Sequence, residues 1–192
     1  MINPGDTLVN SVTGEELTFL QTAASTNGEY VEIVAVVQPG GFVAAAHVHP
    51  NQSETFTAIE GTLDLRVGRK RVRLERGESA VVEAGTAHKF WNAGDEPVMF
   101  HCVVSPALQF ESLIESMFAL ARDGKTNRKG MPKPVHLALF VREYENEVRA
   151  PFPPPAVVRA LMAPLAAIGR ARGHAERYET GKPAIKPRPI TA

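Results

Sequence analysis

The segment Gly41–Gly61 reads GFVAAAHVHPNQSETFTAIEG and places His47, His49 and Glu54 within eight residues. On an extended chain, residues i and i+2 project to the same side. Both imidazoles can therefore aim at one point inside a barrel. Pro50-Asn51 is a turn signal, after which the chain can reverse and bring the Glu54 carboxylate back to that point. His88 follows the Gly85-Thr86 turn and arrives from a different strand. Three imidazoles and one carboxylate form a borderline-hard ligand set. It suits Fe(II), Mn(II), Ni(II), Co(II) or Zn(II). The expected cofactor is one divalent transition metal per chain, held by His47, His49, Glu54 and His88. Fe(II) is the first choice, because imidazole–carboxylate sites with open positions suit non-haem iron chemistry. Glu54 is also the expected catalytic residue, exchanging between ligation and proton abstraction.

The surrounding sequence reads as short strands. Tyr30 to Val37 is rich in β-branched residues and stops at the turn cluster Gln38-Pro39-Gly40-Gly41. Leu63, Leu65 and Val67 alternate with polar residues, as do Val72 and Leu74, with Gly68-Arg69 between them as a hairpin turn. Ser79 to Glu83 and Pro97 to Val104 are further strands. Glycines at 61, 68, 77, 85 and 94 punctuate a region with no room for crossover helices, so the sheet is antiparallel and closes as a sandwich or barrel. Phe90 shares the parity of His88 and should point inward. Phe56, Phe90 and Gln52 are the expected substrate contacts. Phe100 is a further pocket candidate, and Thr86 flanks a ligand. His101 reads as a packed or surface histidine, and Cys102 as a small core residue.

After Pro106 the period becomes helical. Phe110, Leu113, Ile114, Met117, Phe118 and Ala121 share a face, with Gly124 as C-cap. Leu137, Phe140, Val141, Tyr144 and Val148 repeat the spacing. A third helix follows Pro153-Pro154-Pro155, with a kink expected at Pro164. Helices are expected near 107–122, 135–148 and 155–172. The expected organisation is a barrel domain over 1–106, a helical extension over 107–174 and a loose tail over 175–192. His136 and His174 are expected to be solvated.

Composition narrows the classes. The 192 residues carry 21 Lys+Arg and 21 Asp+Glu, so no general electrostatic attraction to nucleic acid or an anionic membrane exists. The basic run Arg66, Arg69, Lys70, Arg71, Arg73 and Arg76 alternates with Val72 and Leu74, which makes it the exposed face of a hairpin. Neither a nucleic-acid nor a membrane partner is expected. One cysteine and an N-terminus with no apolar h-region point to a cytoplasmic protein.

Two spaced motifs resemble those of the cupin superfamily. The pattern G-x5-H-x-H-x(3,4)-E-x6-G is met by Gly41, His47, His49, Glu54 and Gly61. The pattern G-x5-P-x-G-x2-H-x3-N is met by Gly77, Gly85, His88 and Asn92, with Glu83 in place of proline. That replacement should loosen the turn before Gly85 slightly. Fifteen residues separate the motifs, as in compact, single-domain cupins of type 2, and the resemblance covers about residues 38–93. It implies a mainly β fold, the cupin double-stranded β-helix or jelly-roll barrel, here followed by about three α-helices. It also implies a homodimer. Within such a family, three histidines and one glutamate support dioxygenases, decarboxylases and isomerases. The expected function is a mononuclear metal-dependent, dioxygenase-type oxidoreductase acting on a small chelating enolic or phenolic compound. The alternatives are a non-oxidative metal-dependent isomerase or lyase, and a non-catalytic small-molecule-binding cupin. At least one helix of the extension is expected to narrow access to the metal.

Overall fold

The computed structural model describes residues 2–43 and 45–175, so nearly all of the expected tail lies outside the described residues. Among the described residues, nine strands precede three helices: β1 Thr7–Val9, β2 Glu16–Gln21, β3 Val31–Val37, β4 Ser53–Glu60, β5 Leu63–Val67, β6 Lys70–Leu74, β7 Ser79–Val82, β8 His88–Trp91 and β9 Val98–Ser105, then α1 Phe110–Arg122, α2 Pro134–Glu143 and α3 Pro155–Ala171. The strands form two antiparallel sheets, of order β1-β2-β3-β9-β4-β7 and β6-β5-β8. The fold is mainly β, a jelly roll with three helices, as the sequence leads one to expect.

Strict alternation makes the barrel. Val31, Ile33, Ala35 and Val37 of β3 lie opposite Val104, Cys102, Phe100 and Val98 of β9, and all eight are buried. Their sequence neighbours face outward, where Glu32 and His101 meet at 2.6 Å. Full burial of such side chains contributes roughly 1.5–3 kcal/mol each for the larger ones. Asn92 ties the barrel end together: its amide donates to the carbonyls of Val37 (3.0 Å) and Glu96 (2.8 Å). Gly41 leaves no room for a side chain, since a Cβ there would lie 2.7 Å from Val37 Cγ1 and 2.8 Å from Gln38 O.

The helices share the barrel's core, which runs without a break from Leu17 and Phe19 through Phe110 and Phe118 to Phe140 and Ala166. At the end of α1, Gly124 sits at φ 64° and Lys125 N–H donates to Leu120 O (2.8 Å), closing a Schellman turn. The α2 helix ends at Glu143, short of the expected 148. Tyr144 leaves the helical path because its ring is buried and its hydroxyl bonds Ser112 O (2.9 Å) and Ser116 Oγ (2.7 Å) of α1. Replacing Tyr144 with phenylalanine is expected to lower unfolding stability by about 1–2 kcal/mol in urea titration, because Ser116 loses its buried partner. The α3 helix runs through Pro164 as one element. His136 is buried rather than solvated, with its ring 5.0 Å from that of His174, because α2 turns this face toward the end of α3.

Candidate metal centre

His47, His49, Glu54 and His88 each bring one ligand atom to a common point, and these atoms all lie within 4.8 Å of one another. The backbone explains the convergence. His47 and His88 face each other as a hydrogen-bonded pair, with N···O distances of 3.0 and 2.9 Å. Val48, between the two histidines, forms the same reciprocal pair with Arg149 (2.9 and 3.0 Å). The His49 carbonyl accepts from Gly85 N–H (2.8 Å), which ties the first histidine segment to the turn preceding His88. That turn is closed by Thr86 N–H donating to Glu83 O (3.0 Å), so it forms without the motif proline. Glu54 is the second residue of β4 and points to the same interior.

All three imidazoles are oriented by carbonyl groups. Nδ1 of His47 lies 3.0 Å from Ala45 O, that of His49 2.5 Å from Glu147 O, and that of His88 3.1 Å from Thr86 O. A carbonyl only accepts, so Nδ1 carries a proton, and in the neutral imidazole Nε2 keeps its lone pair. Such outer partners hold a ligating histidine in the right tautomer.

Glu54 Oε2 lies 2.6 Å from His88 Nε2 and 3.7 Å from His49 Nε2. Glu54 Oε2 and His88 Nε2 are buried, and neither has a well-directed hydrogen bond. Buried polar atoms that converge without partners are costly unless a cation or proton joins them. Burial, reinforced by His88 and His49, pushes the His47 pKa down to about 3. Burial alone would raise that of Glu54, but the imidazoles of His49, His88 and His47 outweigh it and hold the carboxyl at about 2. Burial likewise works against the His88 imidazolium, and contact with Glu54 outweighs it, raising that pKa. At neutral pH the cluster therefore offers an ionised carboxylate and a neutral His47, the states that metal ligation requires. The donor set fits a divalent transition ion.

The cluster opens onto a cavity of about 340 Å³. Phe56 and Phe90 line it, and with Phe100 they form a ring cluster with centroid separations of 6.1, 5.7 and 5.2 Å. All three helices contribute walls, including Leu113 and Met117 of α1, Phe140 of α2 and Met162 of α3. The extension thus adds apolar walls to the cavity beside the histidine site. Gln52 does not line this cavity. It is buried elsewhere, and its amide donates to Pro106 O and Ala107 O (3.0 Å each), bracing the entry to α1. Thr86 acts through its carbonyl on His88, and His101 faces away from the cavity. Asp64, buried beneath the basic hairpin, takes Arg71 (3.1 Å) and Arg73 (3.4 Å).

Three contributors escaped the sequence reading. Glu147 and Arg149 follow α2 and hold the histidine segment through their backbone, which no side-chain pattern announces. Glu15 lines the cavity from the β1–β2 turn. Its parity with Leu17 and Phe19, two apolar neighbours at i+2 and i+4, was the available signal. Burial pushes the Glu15 carboxyl up to about 7. The folded protein then binds a proton that the unfolded chain has released, so Glu15 lowers stability as pH rises from about 4.5 to 7. Glu15→Gln is expected to match the parent protein at pH 4 and to exceed it by about 1–3 kcal/mol at pH 8 in denaturant titrations. An equal gap at both pH values would contradict this.

Residues 33–104 match the family model for the cupin domain. That segment is similar to cupin domains, and one small jelly-roll barrel is built around it. It is 38% identical over 60 residues to the tetracenomycin polyketide synthase protein TcmJ of Streptomyces glaucescens, a match over 31% of this chain. The chain thus spans about two-fifths of that curated relative's length, 40%. Among solved structures, a conserved double-stranded β-helix protein of Klebsiella pneumoniae is 26% identical, with a TM-score of 0.43 over 56% of this chain and 84% of its own. A predicted oxalate decarboxylase of Thermotoga maritima is 18% identical, with a TM-score of 0.48 over 55% of this chain and 99% of its own. Among the described residues, no helix is long and apolar enough to cross a membrane.

Proposed function

We propose that the protein is a mononuclear metal-dependent cupin enzyme, an oxidoreductase of dioxygenase type acting on a chelating enolic or phenolic compound. One observation carries this reading: three Nε2 atoms and an ionised carboxylate converge at the wall of an apolar, helix-enclosed cavity. His47, His49, His88 and Glu54 would hold the ion, Fe(II) by preference. A divalent ion there supplies Lewis acidity and, if redox-active, electron transfer toward dioxygen. The remaining work falls to the chain. Ala45, Glu147 and Thr86 carbonyls keep each imidazole oriented. Phe56, Phe90 and the helix side chains exclude water and favour a flat, apolar substrate. The carboxylate of Glu54 would take a proton from a chelating hydroxyl. The relative's name points to polyketides, poly-β-carbonyl compounds that enolise readily, which is the chelating chemistry this site suits.

The test is oxygen uptake by Fe(II)-loaded protein across a panel of enolic and phenolic ketones. Stoichiometric uptake with product formation is the expected result. Turnover that proceeds equally without oxygen would replace it with an isomerase or lyase. Tight binding without turnover would leave a binding protein. We further propose a cytoplasmic homodimer with no nucleic-acid or membrane partner. Exposed Val157, Leu161 and Ile168 on α3 support pairing, and light scattering should return twice the chain mass.

A further inference from the structure

Glu15 is the acidic group of the cavity that the metal cluster does not use. It stands one residue before β2, with the parity of buried Leu17 and Phe19, so it faces the barrel interior and lines the cavity. The turn that carries it is rigid. Asn10 Oδ1 accepts from Val12 N–H (3.0 Å) and Thr13 N–H (3.2 Å), and Asn10 N–H donates to Glu15 O (2.8 Å). The side chain itself is partly buried, and among the described residues its carboxyl makes no hydrogen bond or ion pair. Asn10 and Thr13 of the same turn line the cavity with it, and the rest of the lining is mostly apolar, including Ile33, Phe100 and Met117. A partly buried carboxyl without a partner in a mostly apolar cavity is unfavourable, and burial raises its pKa. A ligand hydroxyl would supply a partner.

We infer that Glu15 is a specificity residue, which accepts a hydrogen bond from a hydroxyl at the far end of a flat, mostly apolar substrate whose near end chelates at the histidine cluster. The substrate class is then a fused-ring or aryl ketone with two polar ends, one enolic or phenolic and beside a ketone, the other a simple hydroxyl. The assignment of the near end rests on the metal reading, and that of the far end on Glu15 alone. A site built to bond a hydroxyl discriminates strongly against the analogue that lacks it, because its own buried group is then left unpaired.

The probes are erythroxyanthraquinone, which has one phenol beside a ring ketone, and its congeners with one further phenol on the distal ring, remote from both ketones. Dissociation constants are measured by calorimetry on Zn(II)-loaded and chelator-treated full-length protein. Parent protein should prefer at least one distal-hydroxyl congener to erythroxyanthraquinone by about tenfold or more. Glu15→Ala should abolish that preference, weakening binding of the favoured congener while binding erythroxyanthraquinone at least as tightly as the parent protein does. Glu15→Gln, which still accepts a hydrogen bond, should retain part of it. A preference that survives in folded Glu15→Ala overturns the role of Glu15. Failure of every congener to bind parent protein overturns the ligand class. Metal removal reports separately: if it leaves every affinity unchanged while the Glu15 effect persists, the metal reading fails and the far-end assignment stands.

Discussion

His49→Ala is expected to reduce transition-metal content from about one ion per chain to near zero, as measured by elemental analysis after loading and desalting. The far-ultraviolet signal of the barrel should persist, because His49 contributes no strand pairing of its own. The loss should be large because, on the proposed reading, His49 supplies one of the four ligand atoms and is itself held by Glu147 O. A structural cost accompanies it. The alanine leaves that carbonyl without its donor in a buried setting, a penalty of about 1–3 kcal/mol. His88→Ala, which removes the residue nearest Glu54, should lose the ion equally. Unchanged stoichiometry in both folded variants would refute the ligand assignment.

Phe100→Ala is expected to lower unfolding stability by about 3–5 kcal/mol. Phe100 is 2% exposed, contacts the rings of Phe56 and Phe90, and sits on β9, the strand between β3 and β4. Truncation removes the ring from the centre of the barrel wall, and the flanking strands are paired on both sides and cannot close the gap. Phe152 is the contrast. It is 81% exposed, and Phe152→Ala should change stability by no more than about 0.5 kcal/mol. Urea midpoints of the two variants decide the matter. A shift below about 1 kcal/mol for Phe100→Ala would show that the ring cluster does not hold the barrel together.

The barrel and its histidines were readable because their signals are local. Alternation in Val31–Val37, the Gly68-Arg69 hairpin and the inward parity of Phe90 are each decided within a few residues, and the structure reproduces them. His47, His49 and Glu54 lie so close in sequence that extended geometry and the bend at Pro50-Asn51 bring them together; His88 needed only a neighbouring strand. What escaped depends on distant partners. The apolar spacing of Leu137, Phe140, Val141 and Tyr144 continues to Val148, yet α2 stops at Glu143 because the Tyr144 hydroxyl finds Ser112 and Ser116 on another helix. Gln52 sits beside ligands in sequence but is turned to Pro106 and Ala107 by the start of α1. His136 reads as an ordinary polar residue until α3 packs beside it.

The strap after α2 makes the extension part of the centre rather than an appendix to it. Glu147 O steers His49, and Arg149 pairs with Val48 between the two histidines. A barrel excised before α1 would retain every ligand and lose the scaffolding of one of them. Grafting the chelating motifs onto another jelly roll would carry over the same deficiency. On the proposed metal reading, ion affinity can therefore be tuned through the peptide path of residues 147–149, with no change to any of the four proposed ligand side chains.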